Sequence, residues 1–317
     1  MTKLNKSNNT EPKLAIILSY HEGKDYINHQ LQSIFDQSFS NLCVFIGVDG
    51  SDSLLSIADL KINNEYLHKL TINFQPKNIG FAKNFMEVLA SCPEDYTHFA
   101  FSDQDDVWEP DKIKIAIETL SQFPITCPAL YCARTEIVDS TAKKSLGYSP
   151  LFKRPPSFAN AIVQSIGGGN TMVFNKTARD LIVKSSMKTD MVSHDWWCYQ
   201  IVSGAGGEII YDPKPCLKYR QHHNNLIGAN TSWTARLLRC HALLMGRFRF
   251  WNDTNLKALE KNRYLLTEPS IKCLNHFLEA RQSNLIKRVF LFKRSGIYRQ
   301  TFLGNLGLVA AILLNKV

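Results

Sequence analysis

The chain is 317 residues long and 44% hydrophobic, enough to bury a sizeable core as one large domain or two smaller ones. Its net charge of +9 is lopsided: residues 1–219 hold 21 basic against 24 acidic side chains, a net of −3, while residues 220–317 hold 16 against 4, a net of +12. Eight cysteines without a CxxC pair argue against a disulfide or zinc framework and suit reduced thiols in a cytosolic protein.

The polar lead, residues 1–12, has no apolar segment or cleavage site of a signal peptide and is expected to be disordered. Leu14–Leu18 is an apolar run that reads as a buried strand and ends in Ser19-Tyr20-His21. Ile27, Leu31, Ile34 and Phe35 then mark one face of a helix. Leu42–Val48 and Leu70–Phe74 are further strands, the first stopping at Asp49-Gly50-Ser51, and Phe81, Phe85, Val88 and Leu89 mark a second helix after Asn78-Ile79-Gly80. Phe99–Ser102 is a fourth strand, followed by a helix on the row Ile113, Ile117, Leu120. Strands alternating with helices across short connections predict an α/β fold with a mostly parallel central sheet flanked by helices.

From Ala129 the rhythm changes. Ala129–Cys132, Met172–Phe174 and Glu208–Tyr211 read as strands, Lys143–Pro156 as a loop, and Ser193 or Asp195 as the N-cap of a helix running to about Ser203. Gly167-Gly168-Gly169-Asn170 lacks the Gly-Lys-Ser/Thr ending of a nucleotide-binding P-loop; it is either a flexible turn or a close backbone approach to a ligand. Beyond Ser232 the pattern is helical: Trp233–Phe250, then stretches around Thr254–Leu266, Ile271–Leu278 and Asn284–Phe292, and an apolar Thr301–Leu314. That last run is short of the roughly 20 residues that span a bilayer. Two readings of this basic region stand: a membrane-interface tail, or a helical subdomain whose Lys and Arg reach out from a packed face. No DNA- or RNA-binding signature accompanies the charge, so nucleic acid is not the expected partner.

The most informative stretch is Phe99–Pro110, which packs Asp103, Asp105, Asp106 and Glu109 after a buried strand. Carboxylates this close raise one another's pKa unless a cation sits among them. Asp-x-Asp spacing suits a magnesium or manganese ion that keeps positions open for phosphate oxygens. In a parallel sheet the strand ends line one edge, so Tyr20, Asp49, Asn78 to Asn84 and these acids can share a crevice. No GxGxxG follows the first strand, which disfavours a nicotinamide or flavin cofactor.

ILSYH, GVDGSDS, NIGFAKNF, FSDQDDVWEPDKI, GGGNTMVFN, HDWW and YRQHHNN follow one another in this order. In this the chain resembles the family 2 glycosyltransferases with the GT-A fold, more narrowly the bacterial rhamnosyltransferase-like members, from Leu14 to about Gly228. The resemblance implies a nucleotide-sugar half (13–128), an acceptor half (129–228) and a basic helical C-terminal region (229–317). It implies transfer of a sugar to an acceptor hydroxyl with inversion, the donor being dTDP-L-rhamnose or a UDP-sugar. The acceptor would be a lipid-linked oligosaccharide of bacterial surface polysaccharide synthesis, reached at the inner membrane face. Tyr20 would stack on the base, Asp49 accept from it, and Lys83 or Asn84 touch the nucleotide. Asp103 and Asp105 match the DxD positions holding metal (Mg2+ or Mn2+), ribose and diphosphate, with Asp106 in support, and His222 falls where some members add a metal or diphosphate ligand. Asp195 matches the general base. Trp196 and Trp197 either shape the acceptor pocket or pack in the core.

Overall fold

The structure, a computed structural model, describes residues 11–50, 55–187, 189–222 and 247–317. Expectations for residues 1–10, Ser51, His223–Asn225 and the first part of Trp233–Phe250 lie outside these.

The first half is built as its hydrophobic pattern requires. Strands β1 (Leu14–Tyr20), β2 (Leu42–Val48), β3 (Leu70–Phe74) and β4 (His98–Ser102) run parallel in the order β3-β2-β1-β4. Strand β1 is buried on both faces, which explains its unbroken apolar run. Ala15 and Ile17 enter one core, and Leu14, Ile16 and Leu18 enter the other. Helices α1 (Ile27–Phe35) and α3 (Lys112–Leu120) cover the second of these faces, while α2 (Phe81–Ser91) covers the first.

At Ala129 the topology changes, where the halves were expected to meet. The described sheet has nine strands, continuing β4-β8-β6-β9-β5, with β7 (Ser145–Tyr148) on β6 (Ala129–Val138). Strand β8 (Val173–Asn175) is antiparallel to both β4 and β6, β9 (Glu208–Arg220) is parallel to β6, and the two-residue β5 (Val107–Trp108) is antiparallel to β9. The sheet thus adds short antiparallel ladders to the longer parallel ones, β1–β2, β1–β4, β2–β3 and β6–β9. Strand β9 outruns its expected end at Tyr211 because Pro213 and Pro215 fall where the β6–β9 register shifts; such an irregularity tolerates residues that cannot donate to a ladder.

Helices α4 (Phe158–Ala161), α5 (Lys176–Ser186) and α6 (His194–Gly204) join α2 on its face of the sheet. The basic C-terminal region adds α7 (Arg247–Lys261), α8 (Glu268–Gln282), α9 (Leu285–Ser295) and α10 (Phe302–Leu313). These helices are not a detached tail. Leu256, Leu259, Leu274, Phe277, Leu308 and Ile312 belong to the same buried cluster as Phe158, Trp197 and Val202. Backbone and side-chain bonds stitch the seam: Thr267 N–H donates to Gly204 O (2.9 Å) and Asn262 Nδ2 to Ser185 O (3.1 Å). Of the two readings of this region, the packed one holds for its inner faces.

Candidate active site

Strands β1, β2 and β4 are parallel neighbours, so Tyr20, Val48 and Ser102 end at one edge of the sheet. The acidic stretch leaves β4 there and is closed by β5, whose Val107 pairs with Lys218 of β9. That pairing carries Arg220 and His222 up beside the acids. Arg220 Nε donates to Asp105 O (2.8 Å) and its Nη1 to Ser140 O (2.7 Å), and its guanidinium lies 4.8 Å from the Tyr26 ring centre. His222 stacks on the same ring at 4.8 Å and puts Nε2 2.7 Å from Asp105 Oδ2.

The three neighbouring aspartates occupy different environments. Asp106 is fully buried: Asn170 Nδ2 donates to its Oδ2 at 2.6 Å, and its Oδ1 has no hydrogen-bond partner. Burial, followed by the charges of Asp105 and Asp103, pushes its carboxyl well above the usual range. Asp103 is lifted to about 7, first by burial, then by Asp105 and Asp195, against the pull of Lys112. Lys112 lies beneath them, 1% exposed, its ammonium 3.2 Å from the Trp108 ring centre. Burial lowers its pKa to about 8, and Cys216, Asp106 and Asp103 resist that shift. Protonation of Asp106 and partly of Asp103, with Lys112 beneath them, relieves this crowding; a cation bound among them would relieve it instead and lower their pKa values.

Asp195 is in the first turn of α6, half-buried, with Oδ1 accepting from Trp196 N–H at 2.8 Å. Its charge is among those that raise Asp103, so the candidate base lies near the first DxD carboxyl. His194 beside it is buried with neither ring nitrogen hydrogen-bonded, stacked on Phe85 (4.0 Å, 26°) and edge-on to Phe101. Burial lowers its pKa to about 4, so it is a neutral packing ring. Gly169 permits this: a Cβ there would lie 2.0 Å from His194 Nε2. The glycine-rich turn thus serves packing at Gly169 and holds Asp106 through Asn170.

Several expectations change. Tyr20 is fully buried in the apolar cluster that also holds Leu18 and Leu31, with no ring face open to stack on a base. Asp49 is 3% exposed and its Oδ1 accepts from Ile79 N–H (2.7 Å), so it fixes the Asn78–Gly80 turn. Asn84 is buried and latches β1 to β2 through Ser19 Oγ (2.8 Å) and Gly47 O (2.7 Å); Lys83 is the outward member, 3.2 Å from Asp190. Trp196 and Trp197 are core residues whose indole N–H groups donate to Ala161 O and Ser185 Oγ; they do not line an acceptor pocket. The three-residue metal set is only partly assembled. Asp105 and His222 meet, but no group of three or more His, Cys, Asp or Glu side chains converges among the described residues.

Residues that the sequence reading missed hold the acids in place. Gln104 clamps the loop after β1, its Oε1 accepting from His21 N–H and its Nε2 donating to His21 O, both at 2.8 Å. From α1, Gln30 Nε2 donates to Ser102 Oγ (3.0 Å) and Ser33 Oγ accepts from Trp108 N–H (3.0 Å), and just past the helix Gln37 Oε1 accepts from Ile113 N–H (3.1 Å). The signal was the pair of polar residues at i, i+3 on a helix otherwise read only for its apolar face.

With acidic side chains gathered at the carboxyl edge of its parallel strands and a further Asp in the first turn of α6, the chain has the fold of the GT-A glycosyltransferases. The chain belongs to the glycosyl transferase family 2, whose model matches residues 14–181. It is 29% identical over 232 residues to the dTDP-rhamnosyl transferase RfbG of Shigella flexneri, covering 70% of this chain and 77% of that one. It is 28% identical over 117 residues, 36% of each chain, to the succinoglycan biosynthesis protein ExoW of Rhizobium meliloti (strain 1021). In fold it is similar to S. aureus TarS 1–349, solved with UDP-GlcNAc, at a TM-score of 0.50 and 15% identity, covering 90% of this chain and 93% of that one.

Proposed function

We propose that the protein moves L-rhamnose from dTDP-L-rhamnose, with inversion, to a hydroxyl of a lipid-linked glycan in bacterial surface polysaccharide synthesis. What supports the transfer chemistry is the membership of glycosyl transferase family 2, together with the nearness of the Asp195 charge to Asp103. The choice of rhamnose rests on the likeness to the Shigella dTDP-rhamnosyl transferase.

In this reading Asp195 accepts the acceptor hydroxyl's proton as its oxygen attacks the anomeric carbon. The bond from that carbon to the diphosphate breaks on the opposite face, which inverts the centre. Asp103, lifted to about 7, is partly protonated near neutrality and can donate to a ribose or phosphate oxygen. Asp105 and His222 would hold the divalent ion, with remaining ligands from water and diphosphate, the mode in which magnesium binds through one or two protein groups. Such an ion supplies charge stabilisation of the departing diphosphate. Lys83, the outward residue at the start of α2, is placed for the nucleotide phosphates, while Asp49 and Asn84 shape the turn against which the nucleotide lies.

The test is a thermal-shift and turnover panel of nucleotide sugars with and without Mn2+ or Mg2+. The expected result is metal-dependent stabilisation and dTDP release with dTDP-L-rhamnose above all others. A UDP-hexose in first place would keep the reaction class and change the donor, and no response to any member would remove the reading.

A further inference from the structure

The inward faces of α9 and α10 join the core, but their outward faces do not behave like the surface of a soluble domain. On α9, Ile286 is 86% exposed, with Val289 and Phe290 beside it at i+3 and i+4; on α10, Phe302 is 77% and Leu303 69% exposed, followed by Leu306, Val309 and Leu313. These positions repeat at helical spacing opposite the buried Leu291 and the buried Leu308, Ala311 and Ile312. The two helices pack on one another, and Arg288 Nη1 of α9 donates to Ile312 O of α10 at 3.2 Å. Single exposed apolar residues are ordinary; a two-helix face made of them marks a contact surface.

The charge around this face chooses the occupant. Residues 280–317 contain seven basic side chains and no acidic one; Arg281 and Lys287 pair with Asp253 and Glu279 from α7 and α8, while Lys293 and Arg294 stand exposed on α9 itself. A second copy docked here would set like charges against like, whereas an anionic lipid surface takes both the apolar ridge and the cations. Helix α10 has 12 residues, and no helix among the described residues is long and apolar enough to cross a membrane. We infer that the α9–α10 pair lies in the interface of an anionic bilayer, with Ile286, Phe290, Phe302, Leu303 and Leu306 seated among the acyl chains and the basic residues at headgroup level. This deepens the proposal of a lipid-linked acceptor, and it is tested without any sugar substrate.

The experiment is flotation of the full chain with vesicles of phosphatidylcholine alone or mixed with phosphatidylglycerol. Wild type is expected to float with the mixed vesicles and remain behind with the neutral ones. A Phe302→Ser/Leu303→Ser variant should lose roughly tenfold or more in partitioning. A Lys293→Glu/Arg294→Glu variant should lose about fivefold or more per charge. Melting temperatures at or above wild type would show that both variants fold, as substitutions at exposed positions should allow. Failure of wild type to float with anionic vesicles, or flotation of both variants like wild type, would overturn the inference. So would a wild-type dimer that Phe302→Ser/Leu303→Ser dissolves, which would give this face to a second copy. Dye or donor-binding results have no bearing on any of these outcomes, so the chemistry of the crevice and this surface stand or fall separately.

Discussion

Asp103, Asp106 and His194 are ionisable groups whose shifts oppose one another, and this makes the stability of the metal-free protein a readable property. Between 3.8 and about 7 the native state keeps a proton on Asp103 that the unfolded chain has lost, so stability falls as pH rises; Asp106 acts in the same sense. His194 and His98 are held to about 4 by burial, so between 4 and 6.5 the unfolded state binds the extra protons and stability falls as pH drops. The two effects offset below 6.5 and leave a decline above it, which the lowered Lys112 opposes from about 8 upward. Asp106→Asn keeps an acceptor for Asn170 and removes the buried charge, so its melting temperature should gain on wild type steadily as pH rises; a constant difference would contradict the assignment. Asp195→Asn should bind donor as wild type does and turn over about 10²- to 10⁴-fold more slowly, and near-normal turnover would remove it as the base. At this scale the sequence showed the acids well, since crowded carboxylates after a buried strand have few other uses. It misplaced the aromatics. Each helical residue turns by about 100°, so once Asp195 faces the crevice, Trp196 and Trp197 are carried round into the core.

The elements around the crevice act through shape more than through contact with substrate. Gln30 and Ser33 of α1, with Gln37 just past its end, hold the acidic loop from below, and removing one such buried partner typically costs about 1–3 kcal/mol. Gln37→Leu, which orphans Ile113 N–H at the start of α3, should lower stability by that amount in denaturant melts. Gly169→Ala drives a methyl into His194, whose ring is confined by Phe85 and Phe101, and overpacking of this kind costs about 1–3 kcal/mol. His194→Ala should relieve most of that cost in the double variant, whereas additive effects would show that the two residues do not meet. The parallel strands of the first half were legible to within two residues, because a strand buried on both faces is a continuous apolar run. The second half was less so. Strand β7 hides in a loop rich in Lys, Ser and Pro, where it pairs with β6 through Ser145, Gly147 and Tyr148, and β9 carries two prolines that propensity reads as a stop.

At the scale of the molecule, the charge asymmetry that suggested a separable tail conceals one continuous core. Deleting residues 247–317 would uncover Phe158, Trp197 and their neighbours, and each lost burial of a Leu, Ile or Phe is worth roughly 1.5–3 kcal/mol. Several such losses exceed the whole stability of an ordinary domain, about 5–15 kcal/mol. The truncated chain should therefore be recovered as aggregate, and a soluble truncation with a cooperative melt would contradict the shared core. Hydrophobic periodicity revealed the C-terminal helices but could not say which apolar faces turn inward, because packing and lipid select the same side chains. The central claim is that the Asp103–Asp106 loop and His222 form a metal-dependent nucleotide-sugar site. Its most direct measurement is calorimetric titration of dTDP-L-rhamnose into wild type and Asp105→Ala, each with and without Mg2+. Binding by wild type in the presence of the ion alone, and none by Asp105→Ala, is the expected result; equal binding by both proteins, or binding by wild type that ignores the ion, would contradict the account.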